Sequence, residues 1–143
     1  MKLTQIDHVG IAVPDLDAAL ERYARVFDLQ PVHRERVEEQ GVEEVLFAAG
    51  ESFIQLLGAL GSDTPVGRFL DRRGPGVHHL GYRVANVTEA LGRLRAEGVA
   101  LIDETPREGS RGTTIAFVHP KSMGGVLVEL VQEPSPTTAG RRV

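Results

Sequence analysis

The chain has 143 residues, 41% of them hydrophobic and 25% charged, with a net charge of −4 and no cysteine. That length suits one ordinary domain or two small fused modules. The composition excludes disulfides and thiolate metal ligands, an acidic balance argues against nucleic acid as a partner, and no apolar run approaches the ~20 residues of a membrane span.

In chain order, residues 6 to 13 alternate, with His8, Gly10 and Ala12 on one face and Val9, Ile11 and Val13 on the other, which predicts a strand with one apolar face. Pro14 and Asp15 end it. Asp15 is placed to cap a helix over 16 to 27, where Leu16, Ala19, Leu20, Tyr23 and Phe27 recur at helical spacing. Three shorter strands are expected near 32 to 37, 43 to 49 and 52 to 57, with Ala49, Gly50 and Glu51 as the hairpin between the last two. Residues 58 to 76 carry five Gly and two Pro and read as a linker with one short helical turn at 66 to 73.

The order then repeats. A strand is expected over 79 to 84, Asn86 with Glu89 forms a capping box, and Val87, Ala90, Leu91 and Leu94 give the stripe of a helix ending near Gly98. Strands near 101 to 104, 113 to 119 and 125 to 132 complete the copy, and the tail over 133 to 143, with Pro134, Pro136 and Gly140, is expected to be disordered. The domains are therefore a first βαβββ module over 1 to 57, the linker, a second module over 77 to 132, and the tail. No apolar segment of signal-peptide length opens the chain, so the expected compartment is the cytoplasm.

The repeat carries chemistry as well as architecture. Ile6-Asp7-His8-Val9-Gly10-Ile11-Ala12-Val13 returns as Val77-His78-His79-Leu80-Gly81-Tyr82-Arg83-Val84, which puts His8 and His79 at equivalent places 71 positions apart. Each copy also ends on an apolar strand with one polar residue at its centre, Gln55 in the first and Glu129 in the second. Polar side chains at such places are costly without partners. If the two modules face each other, His8, Gln55, His79 and Glu129 converge, and imidazole, amide and carboxylate ligands suit a divalent ion such as Co, Mn, Ni or Zn. Four protein ligands on an octahedral ion leave two open positions, enough for a substrate to chelate through two oxygens. His78, His33 and His119 read as surface residues or as neighbours standing behind the ligands.

These motifs, together with His119-Pro120-Lys121-Ser122 and the strand that ends in Glu129, resemble the vicinal oxygen chelate superfamily over roughly residues 5 to 132. Within it the resemblance is to the methylmalonyl-CoA epimerases. It implies an α+β fold, two βαβββ modules paired into a cup-shaped mixed sheet around one metal site. It implies His8, Gln55, His79 and Glu129 as ligands, Glu129 and Glu44 as the acid/base pair, a CoA thioester as substrate and a homodimer. Glu43 competes with Glu44 for that role, because a register error of one residue reverses the face. Lys121, Ser122 and Arg111, with Arg107, are candidates for contacting the substrate. Two other readings share the fold. A glyoxalase I-type isomerase would act on a glutathione hemithioacetal, and a non-catalytic small-molecule binding protein would favour an aromatic groove, for which 5% aromatic residues without Trp offer little.

Overall fold

A computed structural model describes residues 1 to 135 of the chain. The tail beyond 135, expected to be disordered, lies outside the described residues. Two compact units divide the chain: Asp7–His79, and Met1–Ile6 together with the residues from Leu80 onward. The divisions fall inside the two repeated strands.

In the Asp7–His79 unit the elements are β1 (Leu3–Ala12), α1 (Leu16–Phe27), β2 (Pro31–Val37), β3 (Val42–Ala49), β4 (Ser52–Ala59) and α2 (Pro65–Arg73). Strand order is β2-β3-β4-β1, with β1 parallel to β4 and the other pairs antiparallel. The parallel pair follows from the helical crossover, since parallel neighbours cannot be joined by a tight turn. Asp15 caps α1 by accepting from the Ala18 N–H at 3.1 Å, and the helix ends at Asp28, which adopts the left-handed conformation with φ 53°. The β3–β4 hairpin turns at Gly50, whose φ of 65° suits a residue without Cβ.

One face of this sheet packs on α1. Val13, Val45, Phe47 and Leu56 are buried against Leu16, Ala19, Leu20 and Tyr23. At roughly 25 cal/mol per Å² of apolar area removed from water, such a cluster is the main stabiliser of the unit. The opposite face carries Ala12, Val42 and Leu57, which meet Val66, Phe69 and Leu70 of α2. The expected short helical turn is thus a nine-residue helix, capped by the Thr64 hydroxyl, which accepts from the Gly67 N–H, and begun by Pro65.

The other unit repeats the pattern with β5 (Gly76–Val84), α3 (Val87–Ala96), β6 (Arg107–Glu108), β7 (Thr114–Val118) and β8 (Val128–Gln132). The order is β5-β8-β7-β6, again with the first pair parallel and the rest antiparallel. Asn86 caps α3 by accepting from the Glu89 N–H at 2.9 Å, and Val87, Ala90 and Leu91 bury against Val84, Ala116, Val118, Val128 and Leu130. The strand expected at 101 to 104 is reduced to one bridge between Leu101 and Val118. Beyond it the Asp103 carboxylate accepts the Phe117 N–H at 2.8 Å, a side chain standing where a ladder partner would be, and pairing resumes only at β6.

Candidate metal and acid–base site

The polar residues of the Asp7–His79 unit gather on the sheet face that α1 does not cover. Alternation places them there: Val45 and Phe47 pack on α1, so Glu44 between them and Val42 points the other way, and Leu56 packs on α1 while Gln55 does not. His8 (5% exposed), Glu44 (2%), Gln55 (7%) and His79 (4%) are all buried.

The two histidines meet. His8 Nε2 lies 2.9 Å from His79 Nε2, with the rings nearly perpendicular at 83°. Their other nitrogens are engaged from behind: His8 Nδ1 sits 2.7 Å from an Asp7 carboxylate oxygen, and His79 Nδ1 sits 3.0 Å from His78 Nδ1. Gly10 makes this approach possible. A Cβ at that position would come within 2.4 Å of His79 Cε1, so the ring occupies the space that any side chain would need.

Gly10 is also the register partner of Gln55 across the parallel β1–β4 pair. The Gln55 amide divides its two ends. Its Nε2 donates to a carboxylate oxygen of Glu44, while its Oε1 is buried with no hydrogen-bond partner among the described residues. A buried acceptor left open costs about 1–3 kcal/mol, an arrangement tolerated where a ligand completes it.

These atoms fit a divalent cation. Two imidazole nitrogens held about 2.1 Å from one ion at right angles would stand roughly 3.0 Å apart, which is the spacing of the His8 and His79 Nε2 atoms, and the open amide oxygen of Gln55 is a further neutral donor. Hydrogen bonds at each Nδ1 leave each Nε2 aimed forward, as ligating histidines require.

Glu44 has further neighbours. Glu35 stands opposite it on β2, and His33 Nε2 lies 2.8 Å from Glu35 Oε1. One ligating atom from each of His33, Glu35 and Glu44 falls within 4.8 Å of the others. Glu43 is separated from this group by its register. It faces the α1 side, where Arg34 Nε donates to it at 2.8 Å and Arg34 Nη2 donates to Asp17 at 2.9 Å. Those two hydrogen bonds raise the Arg34 pKa above its ordinary value, Glu43 contributing most.

Glu129 belongs to the other unit, on β8, where it is 7% exposed. It pairs with Gly81 of β5 and Phe117 of β7. The Gly81–Glu129 pairing repeats the Gly10–Gln55 pairing, so each copy places its polar residue opposite the glycine two positions after its histidine.

The four residues expected to contact substrate lie in that same unit, Arg107 with its Nε 3.3 Å from an Asp103 carboxylate oxygen. The Ser122 hydroxyl accepts the Ala100 N–H at 3.1 Å, closing a loop. Arg111, at φ 57°, donates to the Glu133 carboxylate at 3.2 and 3.3 Å. Lys121 is exposed, and its backbone N–H donates to His119 Nδ1 at 3.0 Å, so His119 caps the turn that carries Lys121. Asp7 was not singled out by the sequence, whereas His78 was read there as a surface residue or a neighbour standing behind the ligands. The signal was present: they are the repeat-equivalent residues immediately before each histidine.

A superfamily model described as Glyoxalase/Bleomycin resistance protein/Dioxygenase matches residues 7–117, and the chain belongs to that superfamily. A methylmalonyl-CoA epimerase structure from Mycobacterium tuberculosis is 44% identical, covering 96% of this chain and 93% of that one at a TM-score of 0.90. Another epimerase structure, in complex with methylmalonyl-CoA and NH4+, is 41% identical over 94% of this chain and 97% of its own, with a TM-score of 0.91. The ethylmalonyl-CoA/methylmalonyl-CoA epimerase of Cereibacter sphaeroides is 33% identical over 90% of this chain and 97% of its own length. Within the superfamily the chain is a member of the methylmalonyl-CoA epimerase family.

Proposed function

We propose that the protein is an isomerase that interconverts the (2R) and (2S) forms of methylmalonyl-CoA. The observation that carries this reading is Gln55, whose buried amide gives its N–H to the Glu44 carboxylate and keeps its oxygen open on the sheet face that also carries His8. A carboxylate and a set of neutral metal donors thus share one sheet face.

The chemistry asks for these parts. The C2 hydrogen of the substrate lies between a thioester carbonyl and a carboxylate, and its removal sends the C–H electron pair toward the thioester oxygen. Glu44 takes that proton on one face, and the acid form of Glu129 returns a proton to C2 on the other, so one C–H bond breaks, one forms, and the configuration inverts. For the opposite stereoisomer the roles exchange. A positioned carboxylate contributes roughly 10²- to 10⁴-fold in such a step. Glu44 is suited to it by its burial and by the Gln55 N–H, which fixes the direction of the carboxylate.

His8, Gln55, His79 and Glu129 would hold the divalent ion, Co, Mn, Ni or Zn. When bound, it supplies Lewis-acid stabilisation of the charge that develops on the thioester oxygen. The repeat-equivalent placing of Gln55 and Glu129, each opposite its glycine, supports Glu129 as the fourth ligand. The working form is a homodimer in the cytoplasm, to be tested by light scattering and by fractionation. Among the described residues no helix is long and apolar enough to cross a membrane.

The test is to incubate metal-loaded protein with one stereoisomer in D₂O and follow deuteration at C2 together with chirality, beside an EDTA-stripped sample. Deuteration with loss of stereochemical purity, dependent on metal and lost in Glu44→Gln, is the expected result. No exchange above the stripped control would overturn the assignment.

A further inference from the structure

Glu133 stands one residue past β8, where the sequence reads as the start of the tail, and its carboxylate holds two arginines. Glu133 Oε1 lies 2.8 Å from Arg83 Nη2 of β5. Arg111 donates to both oxygens of the same carboxylate, from Nη1 at 3.2 Å and Nη2 at 3.3 Å. A guanidinium that meets a carboxylate through two nitrogens fixes direction as well as distance. All three side chains are partly withdrawn from water, so the contact is screened less than an exposed surface pair.

Arg111 belongs to a strained loop. Its φ of 57° is left-handed, a conformation in which the Cβ of an L residue crowds the following carbonyl, and Gly112 beside it has φ 70°. These two residues fold 109 to 113 back on itself. The Gly109 N–H donates to the Thr113 carbonyl at 2.9 Å, and the Ser110 carbonyl accepts from the Thr113 N–H at 3.0 Å and from its hydroxyl at 2.7 Å. Strain of this kind persists where the surroundings hold it. The Arg111–Glu133 pair ties the closed loop to the end of β8 and, through Arg83, to β5.

Alternation puts this clamp on the sheet face that carries Glu129. Val128 and Leu130 pack on α3, as do Ala116 and Val118 of β7 and Val84 of β5, so Glu129, Val131, Ile115, Phe117 and Arg83 face the other way. Ile115 and Val131 are buried on that face, and the loop lies on Ile115: a Cβ at Gly109 would come within 2.7 Å of Ile115 Cγ2 and of Thr113 Oγ1. Ile115 stands opposite Val131, two residues and so about 7 Å along β8 from Glu129. Gly112 and Thr113 of the loop, with Pro106, Arg107, Glu108 and Thr114, also line a cleft of about 370 Å³, within the size range of small-molecule sites.

We propose that Glu133 is a positioning residue: by clamping Arg83 and Arg111 it holds the loop over 109 to 113 as the wall that receives the substrate beyond Glu129. The substrate in this statement rests on the epimerase reading above. A CoA ester with its C2 at Glu129 extends well past 7 Å in at least one direction, and toward the end of β8 it meets this loop. Glu133 acts through the loop and not on the substrate. A bare carboxylate facing an anionic CoA ester would repel it, and here two guanidinium groups take up that charge.

The experiment compares the metal-loaded full chain with its Glu133→Ala variant by steady-state epimerisation of methylmalonyl-CoA and by amide hydrogen exchange. Loss of the clamp is expected to raise KM by roughly 10-fold, with kcat changed much less. Exchange of the Gly109 and Thr113 N–H groups should speed up while α3 exchanges as in the parent protein. Adding Arg111→Gly to Glu133→Ala should bring KM most of the way back, because glycine takes the left-handed conformation without a clamp. An unchanged KM in Glu133→Ala overturns the positioning role. So does a double variant whose KM stays high, which assigns the loss to the missing guanidinium contact, and so does faster exchange throughout α3, which marks a residue of general stability. A parent protein that turns over no methylmalonyl-CoA overturns the epimerase reading and the substrate part with it. The exchange data then decide the clamp by themselves, and unchanged protection of Gly109 and Thr113 in Glu133→Ala overturns it.

Discussion

Glu44 and Gln55 are joined across the antiparallel β3–β4 pair by an amide N–H donated into a carboxylate, both side chains buried and both on the face that α1 leaves uncovered. This single contact separates the two jobs of Gln55. Its nitrogen orients the proposed base, and its oxygen remains open to a metal.

Glu44→Gln is expected to lower kcat by roughly 10²- to 10⁴-fold while leaving the fold intact. The amide keeps the size of the side chain but cannot take a proton. Steady-state kinetics with each stereoisomer, beside a thermal melt, checks it, and a kcat near that of the parent protein would remove Glu44 from the mechanism.

Gly10→Ala tests the close approach of His79 to β1. The added Cβ would stand 2.7 Å from His79 Nδ1 and 2.9 Å from His79 Nε2, so the ring must move. Metal affinity is expected to fall by about 10-fold or more, the scale on which a displaced orienting contact acts, and titration calorimetry on the stripped protein measures it. An unchanged affinity would mean the histidine ring has another place to go.

Divalent metal should stabilise the protein thermally. A ligand that binds only the folded state adds about 2.7 kcal/mol at a hundredfold excess over its Kd, and here it also completes the open Gln55 oxygen. Differential scanning calorimetry with and without zinc should show a raised Tm in the parent protein and a much smaller rise in His8→Ala.

Phe47 anchors the α1 side of the sheet. It is fully buried and stacks on Tyr23 with ring centroids 6.2 Å apart and 12° between planes. Phe47→Ala is expected to cost about 3–5 kcal/mol, seen as a lowered urea midpoint. Asp15→Ala, which removes only the α1 cap, should cost about 1 kcal/mol in the same assay.

Much of this architecture was legible in the residues because periodicity is local. The helix over 16 to 27, its Asp15 cap, the Asn86 cap and the Gly50 hairpin all rest on neighbours within a few positions, and the structure has them where the pattern put them. The strand near 101 to 104 failed for a non-local reason: the Asp103 carboxylate takes the Phe117 N–H that a strand would have used. The helix at Pro65–Arg73 was underestimated because a Gly- and Pro-rich segment has weak intrinsic helix preference, and the burial of Val66 against Ala12, Val42 and Leu57 outweighs it.

By itself the sequence determined the duplicated unit, the four polar positions at equivalent places within it, and the family they resemble, since an internal repeat is visible without knowing how its copies fold. Tertiary structure alone decided the rest. Strand register turned Glu44 inward and gave Glu43 to Arg34, and the absence of a Cβ at Gly10 admitted the His79 ring. Pairing between distant strands brought two imidazole nitrogens to 2.9 Å with Asp7 and His78 behind them. The physical reason is that side-chain direction repeats every two or so residues along a chain, whereas contacts between histidines 71 residues apart exist only once distant strands have come together.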